Sequence, residues 1–131
     1  MQVKDVFDAS AVRRLEADTQ SRAFVRSLVD TYCRMLGTRV DRIVEAVAVP
    51  DPDSALDAAH SLRVSSVMTG AVELAELSSD VVDAIRAGDL SAARESSDLL
   101  PDAAGRAREA LGSYLLDEPA PAAQGSTDSI R

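Results

Sequence analysis

The residues most able to do chemistry in this chain lie in one stretch, Ala58-Ala-His60-Ser-Leu62-Arg63-Val64-Ser-Ser-Val-Met-Thr-Gly70-Ala71, which holds the only histidine. The segment reads as helix. Arg63 and Val64 follow His60 at three and four residues, so all three share a face. An imidazole is largely uncharged near neutral pH and therefore nucleophilic. On an accessible helix face it can attack a phosphoryl group and hold it as a phosphoramidate. That chemistry needs a reachable ring, a cation beside the new negative charge, and a partner whose site closes over both. Arg63 offers a planar guanidinium matched to phosphate oxygens. Leu56, Val64 and Val67 form an apolar collar around His60, with Ser61 and Arg63 at its margin, which suits docking by another protein. No second group stands at a spacing that marks a catalytic base. The expectation is a phosphoryl carrier without autonomous catalysis.

Composition removes several other classes. With one cysteine, Cys33, no intramolecular disulfide can form, and one Cys with one His cannot ligate a zinc or iron site. No motif marks a carboxylate-only magnesium site, so no cofactor is expected on this chain. A net charge of −8 repels phosphate backbones and argues against nucleic acid. No run approaches the roughly 18 apolar residues of a membrane span. The leading Met-Gln-Val-Lys-Asp-Val has no apolar signal segment, so a soluble cytoplasmic protein is expected.

The elements that must position His60 can be read along the chain. Residues 1–8 form a loose lead-in, and Asp8-Ala-Ser10 offers capping oxygens for a short helix over Ala11–Glu16. Phe24, Leu28, Tyr32, Leu36, Val40, Ile43 and Val47 recur at steps of four and three, one stripe of a long amphipathic helix. Gly37 weakens that helix by about 1 kcal/mol relative to Ala. Pro50-Asp-Pro52-Asp53 stops it and caps the next, which runs from Ser54 to Met68 with a narrow stripe of Ala55, Ala59, Leu62, Ser66 and Thr69. His60 falls off that stripe, at the surface or its edge.

Gly70 permits a change of direction into a third long helix marked by Ala71, Leu74, Ala75, Ser78, Val81, Val82 and Ile85. Its Glu73, Glu76, Asp80 and Asp83 are spaced as a solvated face. Gly88-Asp89 ends it and caps a fourth, carried by Leu90, Ala93, Ser97, Leu100, Ala104, Ala107, Leu111 and Tyr114. The pattern persists across Pro101, which predicts a kink, with a break at Leu100 as the alternative. The aperiodic stretch with two prolines after Leu116 predicts a disordered tail. Aromatics are only 3% and the 46% hydrophobic share is mainly Ala, Leu and Val, as in closely packed helices. The fold class is all-α: an antiparallel up-down four-helix bundle over residues 1–116 with a short extra N-terminal helix, and a tail over 117–131.

The segment resembles the phosphorylation motif of the histidine-containing phosphotransfer (HPt) domain family, His-x-Leu-Lys-Gly-Ser-Ser/Ala with Gly-Ala ten residues after the histidine. His60, Leu62, Arg63, Ser65, Ser66, Gly70 and Ala71 stand in register with it. Two positions depart: Arg63 replaces the usual lysine, and Val64 replaces the usual glycine, putting a β-branched side chain where a partner would approach.

The resemblance implies a phosphorelay intermediate. His60 would accept a phosphoryl group from a receiver-domain aspartate and pass it to another receiver, with Arg63 stabilising its charge. Partners would be response-regulator receiver domains or a hybrid histidine kinase, the receiver contributing the magnesium ion. The alternative is a degenerate adaptor that binds a receiver or kinase without carrying phosphate. A third reading is a structural bundle in which His60 is incidental.

Overall fold

The computed structural model describes residues 6–49 and 51–117. Six helices appear among them: α1 (Ala9–Thr19), α2 (Arg22–Ala48), α3 (Pro52–Thr69), α4 (Val72–Arg86), α5 (Leu90–Asp98) and α6 (Leu100–Asp117). α2, α3, α4 and α5 are joined in succession by turns of a few residues, so these neighbours run antiparallel. α3 packs between α2 and α4, α5 and α6 together close the wall between α4 and α2, and α1 lies across α2 and α3. The all-α bundle with a short N-terminal helix is therefore observed. Residues 118–131, which carry nearly all of the expected tail, lie outside the described residues.

Side-chain caps set the helix starts. Asp8 accepts from the Ser10 N–H, Ser21 from Phe24, Asp51 from Ser54 and Asp89 from Ala92. Each satisfies an amide that has no partner inside the first turn. Pro52 opens α3 without cost because the missing N–H would be unpaired there anyway.

The core is built on Leu36, Ile43, Leu62, Leu74, Leu100 and Leu111, all fully buried. The α3 stripe is buried as expected, from Ala55 through Ala59, Leu62 and Ser66 to Thr69. Its small residues let α3 approach its neighbours closely. Leu62, two residues beyond His60, points almost to the opposite side of the helix and holds the rotation that leaves His60 at the edge.

Four expectations need correction. The first half of the α2 stripe is out of phase: Val25 and Val29 are buried, whereas Phe24 is 54% exposed and Leu28 only partly covered. Leu90 is likewise exposed. The fourth element is two helices rather than one kinked helix, with the break at Leu99 and Pro101 in the first turn of α6. Leu99 keeps helical dihedrals, so the side-chain phase carries across and the periodicity looks unbroken. Finally, the end of the lead-in is fixed: Val6 and Phe7 are buried, and Phe7 meets Tyr114 edge-on with ring centroids 5.6 Å apart.

That N-terminal segment docks onto the end of α3. The Asp8 N–H donates to the Gly70 carbonyl at 2.7 Å, and Glu73 N–H donates to Val6 at 3.4 Å. Gly70 takes φ +83° as the left-handed cap of α3, and a Cβ there would collide with the Asp8 carbonyl oxygen. Both demands select glycine. No helix among the described residues is long and apolar enough to cross a membrane, and no group of three or more His, Cys, Asp or Glu among them could hold a metal ion.

Candidate functional site

His60 lies in the middle of α3, half-buried at the seam with α4. Its ring is held by a residue from the next helix: Arg86 Nη2 donates to His60 Nε2 at 3.1 Å. A guanidinium has only donors, so Nε2 must accept, and the proton of the neutral ring is assigned to Nδ1. The lone pair of Nε2 thus faces a cation.

The pairing follows from helix geometry. Arg86 lies further from the Gly70 turn than His60 does, but helical side chains lean toward their own N-terminus. In antiparallel neighbours those leanings are opposed, so His60 and Arg86 converge. Arg86 also closes α4, where a cation is favoured by the helix dipole.

The remaining candidates distribute unevenly. Val64 and Val67 are 52% and 55% exposed and flank His60 on the outer face of α3, while Leu56 on the same face is partly buried against the core. Ser61 is exposed but turns to the other side, along a groove toward α2 shared with Met35, Arg39 and Arg42. Arg63 has no hydrogen bond to the His60 ring, whose Nε2 is met by Arg86. Arg63 lines a cleft of about 380 Å³ between α1, α3 and α4. The structure therefore brings together His60, Val64 and Val67, adds Arg86, and sets Arg63 and Ser61 to either side.

Arg86 escaped the sequence reading because it is remote in sequence. Its available signal was position: an arginine closing the helix after the Gly70 turn, just before Gly88.

Behind the site, the Tyr32 hydroxyl and Ser66 Oγ share a hydrogen bond of 2.7 Å in the α2–α3 interface. Burial pushes the Tyr32 phenol above its ordinary range, with the Ser66 hydroxyl pulling the other way. Arg39 Nη1 donates to Ser65 Oγ at 3.2 Å. These bonds lock α3 against α2, so the outer face of α3 is presented rigidly. Cys33 is partly buried, and burial raises its thiol, as befits a packing residue.

The family model described as Hpt domain matches residues 27–110, more than half of the chain. The chain belongs to the Hpt domain family. The match runs from the first turns of α2 into α6 and contains both His60 and Arg86, while α1 lies outside it. No curated protein and no solved structure matches the chain. Membership places this Hpt domain among phosphorelay signalling proteins, whose Hpt modules carry phosphate and engage receiver domains and histidine kinases.

Proposed function

We propose that this Hpt domain is a phosphorelay intermediate in which His60 Nε2 accepts a phosphoryl group from a receiver-domain aspartyl phosphate and returns it to a second receiver. The Nε2 lone pair attacks phosphorus, the P–N bond forms, and the acyl P–O bond breaks. The leaving carboxylate takes the electron pair of that bond, and Nδ1 keeps its proton. The receiver supplies the aspartate and the magnesium ion that its own site requires.

The observation that carries this reading is the Arg86 guanidinium on Nε2. As the phosphoryl group arrives, Arg86 exchanges a bond to the nitrogen for bonds to phosphoryl oxygens, which are stronger acceptors for a charged donor. The exposed valines Val64 and Val67 give the partner an apolar surface around the ring. The test is incubation with each phosphorylated receiver domain of the source organism. Label should move to the wild-type protein and not to His60→Gln; no transfer from any receiver would overturn the proposal.

The adaptor reading draws on two features: Nε2 is already engaged, and Val64 stands exposed one turn away. It predicts receiver binding without label in the native protein and the appearance of transfer in Val64→Gly.

A further inference from the structure

We infer that the groove between α2 and α3 beside Ser61 is a second contact point for the docking receiver, taking an acidic side chain of that partner on Arg39 and Arg42. This inference rests on the phosphorelay reading above. The groove measures about 170 Å³ and is lined by Met35, Thr38, Arg39 and Arg42 of α2 and by Ala58 and Ser61 of α3. No carboxylate is among those residues. Glu45 and Asp57, one turn along either helix, lie outside the lining.

Four observations point to the occupant. First, the groove carries two guanidiniums and neither has a carboxylate partner among the described residues, in a chain of net charge −8. Acidic side chains engage other arginines instead, as Glu73 does Arg106 and Asp30 does Arg34. Second, Arg39 and Arg42 stand three residues apart on one helix face, where like charges repel, and an incoming anion relieves that repulsion. Third, Arg39 is held in place before any partner arrives. It is half-buried, with Nη1 donating to Ser65 Oγ at 3.2 Å and Nη2 to Met35 Sδ at 3.9 Å. Both acceptors are neutral, so its charge is fixed in position and uncompensated. Fourth, Met35 and Ala58 set apolar surface beside the charges, which suits the methylene stem of an acidic side chain better than a small free anion. The groove also adjoins the face around His60, because Val64 lies three residues from Ser61 and four from His60 on α3. A protein seated on His60 and Val64 therefore reaches it.

The division of labour is that Arg86 acts at the phosphoryl group, and Arg39 with Arg42 acts in docking. Rim charges of this kind govern encounter and affinity more than the chemical step. The experiment uses the full chain and whichever receiver domain transfers label to wild type, with transfer rates measured across receiver concentration. Arg42 is exposed, so its variants carry the test, and Arg39, which braces α3, stays in place. Arg42→Ala should raise the half-saturating receiver concentration by roughly twofold to fivefold, and Arg42→Glu by about tenfold, since it sets like charges against each other. The limiting rate and the lifetime of phosphohistidine on the separated protein should be unchanged. Arg94→Glu on α5 makes the same change in net charge outside the groove and should have less than about a twofold effect. Changing the surface carboxylates of the receiver one at a time to lysine should reveal one that restores docking to Arg42→Glu.

An unchanged half-saturating concentration in Arg42→Glu overturns the inference. So does an equal effect of Arg94→Glu, which would leave only the overall charge, and so does a receiver in which no single reversal restores docking. Failure of wild type to exchange phosphate with any receiver removes the phosphorelay reading and this inference with it; that result is read on wild type, the others on the variants.

Discussion

Replacing Gly70 with alanine should destabilise the bundle far more than the same change at any other glycine among the described residues, and the size can be built up from its surroundings. The left-handed backbone at φ +83° costs an L-residue about 1 kcal/mol or slightly more. The new Cβ collides with the Asp8 carbonyl, a backbone group that can move only by carrying the N-terminal segment outward. That breaks the bond from Asp8 N–H to Gly70, worth about 1 kcal/mol, and uncovers part of Val6 and Phe7, worth about 1–2 kcal/mol more. The expected loss is about 3–4 kcal/mol. Gly88 is the control: its φ is +72° but nothing lies within 4 Å of an added Cβ, so Gly88→Ala should cost only the backbone strain, about 1 kcal/mol. Gly37, helical and open, should gain up to about 1 kcal/mol on the same change. Urea unfolding of the three variants at one temperature measures all of this. If Gly70→Ala falls within about 0.5 kcal/mol of Gly88→Ala, where independent small effects are indistinguishable, the N-terminal segment is not anchored on α3 as described.

Other expectations follow from the same geometry. Arg86→Ala should shorten the phosphohistidine lifetime by roughly twofold to fivefold, the range for a charge pair near the surface, with Arg86→Lys intermediate; decay of label on isolated protein reads this directly. Tyr32→Phe should cost about 1–2 kcal/mol by stranding the buried Ser66 hydroxyl, and adding Ser66→Ala should cost less than the sum of the two single changes, as a double-mutant cycle by denaturation would show. The bonds from the Ser10 hydroxyl and N–H hold the Asp8 carboxyl below its ordinary range. A lowered folded-state value means its contribution is present above the usual aspartate range, about pH 4, and is lost as pH falls through the lowered value. Stability profiles across acid pH should therefore show a drop in wild type that Asp8→Asn lacks.

Much of this architecture is written locally. Asp8, Asp51 and Asp89 cap the helices they precede, and the α3 stripe of Ala55, Ala59, Leu62, Ser66 and Thr69 is buried throughout. Such features are legible because a cap or a stripe depends on residues within a turn or two. The α2 stripe was ambiguous for a physical reason: Phe24-Val25 and Leu28-Val29 offer apolar residues in two phases, and either joins the run at Tyr32. Packing across the bundle chose the valines. Phe7 against Tyr114, and Arg86 on His60, are pairings between distant parts of the chain. No local pattern encodes them. The histidine itself was legible, as was its edge position; the cation that meets its ring was not, because Arg63 satisfied the spacing rule while its side chain serves a neighbouring cleft.

The assignment of His60 Nε2 as the phosphoryl acceptor is open to direct test. It is tested most directly by labelling the protein with a phosphorylated receiver, isolating it, and mapping the phosphate by 31P NMR and peptide mass spectrometry. The expected result is one acid-labile, base-stable phosphoramidate on Nε2 of His60 that is lost when a second receiver is added and absent from His60→Gln. Phosphate on any other residue, or receiver binding without label on His60, would contradict it.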